Sequence, residues 1–170
     1  RKIFTAISFL TLLAWASALL AQSNASPDAV VRWNRIATEA TAAAQTDPLT
    51  ESRLFAMLHV AMHDAVNAVD RRYESYDLKT SSTPSASLDA AISTAAHAVL
   101  VELFPAGKST FDAARGEALR AISNENAKQA GIAVGQAAAE AILSARKNDG
   151  SGKTIARAAG KKPGEYRPTP

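Results

Sequence analysis

The stretch Ala56-Met-Leu-His-Val-Ala-Met-His-Asp-Ala-Val-Asn-Ala-Val-Asp-Arg-Arg-Tyr-Glu-Ser-Tyr76 decides the fold reading. At about 100° per residue, Leu54, Leu58, Met62, Ala65 and Val69 fall on one stripe, and His63, Asp64, Asn67 and Arg71 fall on or near the opposite side. The spacing predicts a helix with an apolar face and a polar face.

Working outward from that helix, the sequence predicts five in all. The first spans about 28–45, with Ser26-Pro27 ahead of it and Asp47-Pro48 as a stop. The second spans about 51–72 with Thr50 as N-cap. After the polar loop 80–85, Ser87 caps a third to about Phe104. Pro105-Ala-Gly107 breaks it, Ser109 caps a fourth to about Ser123, and Asn124-Glu-Asn126 separates that from a fifth ending near Asn148. Gly150 is its left-handed C-cap candidate. In the fifth helix Ala127, Gly131, Gly135 and Ala139 recur every four residues, a seam of small side chains along which another backbone can approach. The expected fold class is all-α, a bundle of about five helices.

Arg1-Lys2 followed by the apolar run Ile3 to Leu20, with Ala16, Ala18 and Ala21, has the layout of a secretory signal peptide, here assigned to residues 1–21. An uncleaved membrane anchor is the other reading, and it would be the chain's only membrane contact. Export to a bacterial periplasm or the extracellular space suits a chain with no cysteine, whose helical domain at 22–150 relies on packing alone. The formal charge of +3 is unevenly spread. Residues 22–145 hold 10 Lys and Arg against 14 Asp and Glu, about −4, while Lys147, Lys153, Arg157, Lys161, Lys162 and Arg167 crowd the end. That balance argues against a nucleic-acid partner. Residues 151–170 read as a basic linker containing Gly and Pro.

Several residue sets invite a chemical reading. His59 and His63 sit one helical turn apart, as two zinc ligands would. A metalloprotease motif needs Glu directly after the first histidine, where Val60 stands, and no clear third ligand follows at short spacing, Asp64 and Asp70 being the candidates to complete such a set. The plainer reading gives His59 a backbone or helix partner and sends His63 to solvent. Asp64 and Asn67, with His59, read as structural polar groups that bond to backbone at a helix end or to Arg32, Arg35 or Arg71. His97 lies on an alanine-rich helix without a nucleophile context. Trp33 reads as a core anchor, and Tyr73, Tyr76 and Tyr166 as partly buried or partner-facing rings. Gly150-Ser-Gly-Lys-Thr154 imitates the end of a phosphate loop, but Lys147 stands where that motif requires glycine and a helix precedes it. No catalytic, cofactor-binding or metal site is assigned on these grounds.

Ala56, Met57, His59, Ala61, Met62, Asp64, Ala65, Asn67 and Ala68 match the pattern A-M-x-H-x-A-M-x-D-A-x-N-A. With Trp33-Asn34, the alanine-rich 90–98, Val99 to Pro105, Gly131 with Gly135, Arg146 to Gly150 and Gly164 to Pro170 in order, the chain resembles the N-terminal helical region of bacterial vanadium-dependent haloperoxidase-like proteins of the type 2 phosphatidic-acid phosphatase superfamily. The resemblance implies a C-terminal half that holds vanadate or a phosphoryl group with basic side chains and an apical histidine. The family's oxyanion motifs, a lysine with six residues between it and Arg-Pro, then Pro-Ser-Gly-His, then Ser-Arg followed by histidine, are absent. Lys161 and Lys162 precede Arg167-Pro168 with five and four residues between, in the wrong register. The expectation is therefore a fragment, the front part of a longer protein, with that C-terminal half as its first partner and vanadate as a cofactor only of the whole. It is expected to be inactive alone. The alternative is an exported non-enzymatic interaction module that uses the glycine seam and the basic tail, as a homodimer or with another protein.

Overall fold

The computed structural model describes residues 28–153 and 159–167. Among these residues the fold is all-α, with five helices: α1 Ala29–Ala43, α2 Pro48–Val69, α3 Leu88–Leu103, α4 Lys108–Arg120 and α5 Glu125–Arg146. A single 3-10 turn, Pro105–Gly107, leads into α4. The signal-peptide assignment, residues 1–21, lies outside the described residues. None of the described helices is long and apolar enough to cross a membrane.

Helix ends follow side-chain chemistry, with three corrections to the sequence reading. Asp28, Ser87 and Asn124 cap α1, α3 and α5 by accepting N–H bonds from Val30, Ala90 and Ala127. For α2 the cap is Asp47 rather than Thr50. Its carboxylate accepts from the N–H groups of Leu49 at 3.0 Å and Thr50 at 3.1 Å, and Pro48 opens the helix because the first helical position needs no N–H donor. The Asp-Pro pair read as the stop of one helix is thus the start of the next. Bonds to the Asp47 carboxylate, that of Thr50 foremost, hold its pKa below the ordinary value. The second correction concerns α4, which begins at Lys108 without a side-chain cap, so Ser109 lies inside it. It grows directly out of the 3-10 turn, where the Lys108 N–H already donates to the Pro105 carbonyl. Third, Gly150 is left-handed, at φ 86°, but sits beyond Lys147, the residue that ends α5.

α1 ends by another route. Gln45 adopts a left-handed φ of 49°, its N–H reaches the Ala42 carbonyl at 3.1 Å, and the Thr46 N–H reaches Thr41 at 3.0 Å. This is a Schellman closure with glutamine where glycine is usual.

α3 is the central helix and packs against α1, α2, α4 and α5. Its alanine-rich surface is buried on nearly every side, as an apolar helix requires. The small-residue seam of α5 lies directly on it. A Cβ added at Gly131 would come within 2.7 Å of the Ala90 Cβ, and one at Gly135 within 2.8 Å of the Thr94 Cβ. The two helices start together, with the Ser87 N–H bonded to the Ala127 carbonyl at 2.8 Å, and run parallel from there. The seam is therefore filled within the chain, so it is not open to the partner that the interaction-module reading assigned to it.

α2 also departs from its expected geometry. Leu54, Leu58, Met62 and Ala65 are buried as the stripe requires, but so are Asp64 and Asn67, each 1% exposed. The buried arc is wider than the apolar stripe because α3 and α5 cover α2 and the segment after it folds back over the helix, where the Thr83 N–H reaches the Ala68 carbonyl at 2.7 Å. The face left to solvent carries Ala56, His59 and His63.

Candidate functional site

Asp64 and Asn67 organise the segment that follows α2. The Asp64 carboxylate accepts three successive backbone N–H groups, from Tyr76 at 2.6 Å and from Asp77 and Leu78 at 2.9 Å each. One turn on, the Asn67 side-chain oxygen accepts from Tyr73 at 2.9 Å and Arg72 at 3.3 Å, while its amide donates to the His63 carbonyl at 3.0 Å. A buried carboxylate is tolerated when hydrogen bonds replace its hydration, and here the backbone supplies them. The three arginines expected as partners bind elsewhere. Arg32 pairs with Glu117 at 2.6 Å, Arg35 with Glu39 at 2.6 Å, and Arg71 donates to the Thr80 carbonyl at 2.9 Å.

The two histidines of α2 have separate partners. His59 donates from Nε2 to the Asn34 side-chain oxygen on α1 at 3.0 Å and stacks on Phe55. His63, though exposed, donates from Nε2 to the Glu74 carbonyl at 3.0 Å and stacks on Tyr73. It therefore helps fix the same loop as Asp64 and Asn67, a role beyond the solvent-facing one expected. Among the described residues no group of three or more His, Cys, Asp or Glu is placed to hold a metal ion. Trp33 is buried in the core, as its reading as an anchor requires.

The loop displays two rings. Tyr73 and Tyr76 are mostly exposed, and the Arg146 guanidinium at the end of α5 lies over the Tyr76 ring and donates to its hydroxyl. Beside it Arg53 bridges α2 to the end of α5, donating to Asp149 at 3.0 Å and to the Arg146 carbonyl at 3.1 Å. The Ser151 N–H foremost, then the Ser151 hydroxyl and Arg53, hold the Asp149 pKa down at about 2.

A second polar cluster joins α3 to α4. His97 bonds Asp112 at 2.7 Å, and Lys108 binds the other oxygen of that carboxylate. Lys108 first and His97 second lower the Asp112 pKa. Arg115 reaches the Thr94 hydroxyl at 3.3 Å. His97 is thus a bridging residue between helices, a partnership the sequence reading missed because nothing local to His97 marks Asp112.

In the basic tail, residues 159–167 form a small turn. The Gly160 N–H bonds the Tyr166 carbonyl at 2.9 Å, and the Glu165 carboxylate accepts the N–H groups of Lys161 and Lys162 at 2.8 and 2.9 Å. All of Lys161 to Arg167 are exposed. Near the phosphate-loop look-alike, the Lys153 N–H bonds the Gly150 carbonyl at 3.0 Å, while Thr154 is outside the described residues. Comparison with family models, with curated proteins and with solved structures gave no match to this chain.

Proposed function

We propose that residues 28–150 are the helical, non-catalytic part of an exported haloperoxidase-like or acid-phosphatase-like protein, whose oxyanion chemistry is supplied by sequence outside this chain. The observation that carries the reading is the use made of Asp64 and Asn67. Of the three polar residues in the pattern on which the resemblance rests, these two are buried with their side-chain atoms bonded to the backbone of the loop after α2, and the third, His59, bonds the Asn34 side chain on α1. Asp64 and Asn67 serve folding. Oxyanion transition states require several preorganised donors converging on one point, and Lys161, Lys162 and Arg167 stand on an exposed turn whose converging N–H groups already hold Glu165. In the whole protein, vanadate or a phosphoryl group would bind to the partner half.

Reading the coding sequence in frame beyond Pro170 tests this directly. Pro-Ser-Gly-His followed by Ser-Arg and a histidine supports the proposal, and an immediate stop overturns it. The purified chain alone is expected to show neither halide oxidation with vanadate and peroxide nor phosphoester hydrolysis. Activity abolished by substituting His59, His63 or His97 would move the chemistry into the helices and overturn the assignment as non-catalytic.

A further inference from the structure

The chain has two methionines, Met57 and Met62, both on α2. Met62 is closed off in the core at 1% exposure, whereas Met57 is 4% exposed and lines a cavity of about 430 Å³ between the first turns of α2 and the last turns of α3 and α5. Arg53, Glu102, Glu140 and Lys147 line the same cavity. Room and charged walls together favour water and water-sized reagents there.

The Met57 sulfur also carries a polar contact. Arg53 donates from Nη1 to Met57 Sδ at 3.0 Å, and from Nη2 to the Arg146 carbonyl at 3.1 Å and the Asp149 carboxylate at 3.0 Å. One guanidinium therefore joins that sulfur to the place where the chain leaves α5. A thioether is a weak acceptor, and Arg53 occupies one of its two lone pairs, which leaves the other to attack an electrophilic oxygen. Negative charge then grows on the departing oxygen, and a guanidinium beside the sulfur stabilises it.

We propose that Met57 is a site of oxidation by hydroperoxides, and that its sulfoxide releases the end of α5 by drawing Arg53 to itself. The sulfur lone pair forms the S–O bond as the O–O bond breaks, and the proton of the delivered hydroxyl passes to the departing oxygen, which leaves as water or an alcohol. Sulfur gives up two electrons and the peroxide takes them. The new oxygen makes an apolar side chain polar, and so near the core it needs a donor. Arg53 is the donor in reach, and turning its guanidinium to that oxygen pulls Nη2 away from the Arg146 carbonyl and from Asp149. The site is independent of the haloperoxidase-like reading.

The test treats the full chain with hydrogen peroxide and reads oxygen addition at each methionine by tandem mass spectrometry. Met57 should oxidise at least about tenfold faster than Met62 in the folded chain, and at an equal rate in denaturant. Trypsin should then cut the oxidised chain after Arg146 and Lys147 about fivefold faster, with the helical spectrum retained. Peroxide should leave that cleavage unchanged in Met57→Leu, a swap of similar volume. Equal oxidation of the two methionines in the folded chain, selective oxidation with unchanged cleavage, or quickened cleavage in peroxide-treated Met57→Leu overturns the proposal. Loss of the helical spectrum on oxidation also overturns it, since that marks damage to the core as a whole. If Met57→Leu does not fold, Met62→Leu takes its place, and loss of the peroxide effect there overturns the assignment to Met57.

Discussion

The carboxylate of Asp64 accepts the backbone N–H of Leu78 at 2.9 Å from fourteen residues away, inside the core. The same carboxylate holds Tyr76 and Asp77, so one side chain sets the path of the chain as it leaves α2. Asp64→Ala strands three backbone donors and is expected to cost about 3 kcal/mol in denaturant unfolding. Asp64→Asn, which keeps the shape but not the charge, falls between. Amide exchange at Tyr76, Asp77 and Leu78 reads the local effect, and unchanged protection in Asp64→Ala would show that the bonds do not hold the loop.

Gly135 is in contact with the α3 backbone and Thr94, whereas a methyl group at Gly116 on α4 would meet only the end of the Arg120 side chain, at 3.6 Å. Gly135→Leu must push the two parallel helices apart and should destabilise by about 3 kcal/mol or more. Gly116→Ala should stabilise by about 0.5–1 kcal/mol through helix propensity. Equal melting temperatures for the two variants would refute the packed seam.

Gln45 is held in a left-handed conformation at the end of α1. Gln45→Gly keeps both closing bonds and relieves the Cβ clash, so the chain should gain about 1 kcal/mol in thermal or denaturant unfolding. A loss of stability would mean that the turn is not closed in this way in solution.

Asp149 has an ordinary carboxyl pKa of 3.8 when unfolded and about 2 when folded. A depressed folded pKa means that the stabilisation is present above the unfolded value and is lost as pH falls through the folded one. Wild type should therefore be more stable than Asp149→Asn at neutral pH, and the difference should shrink as pH drops from about 4 towards 2. Unfolding midpoints measured across that range check it, and a gap that stays constant or widens in acid contradicts the Arg53 and Ser151 contacts.

α4 buries one side chain, Phe111, and is otherwise tied on by Arg32 to Glu117, His97 to Asp112 and Arg115 to Thr94. With so little apolar anchorage it should open before the other helices. Hydrogen exchange should show its amides protected least, and Phe111→Ala, at a cost of about 3–5 kcal/mol, should expose 108–120 to proteolysis while α3 and α5 stay intact. Simultaneous cleavage across all helices would instead indicate one cooperative unit.

Local chemistry was enough to read the all-α class, the five helices and the cap at Ser87, because 3.6-residue periodicity and capping act over a few neighbouring residues. The same local view marked the Gly131 and Gly135 seam as a close-packing surface. What faces the seam was decided only by the tertiary structure: α3, brought alongside in parallel, takes the place that a partner could have filled. Which backbone Asp64 and Asn67 would bond was equally invisible, since a helical wheel places them opposite Leu58 and cannot show a following segment folding back to supply N–H donors. Pairs such as His97 with Asp112 and Arg53 with Asp149 lie far apart along the chain, and no pattern within one helix encodes them. Their partners are fixed by which helices pack together, a choice made by the summed burial of apolar surface rather than by the polar residues themselves.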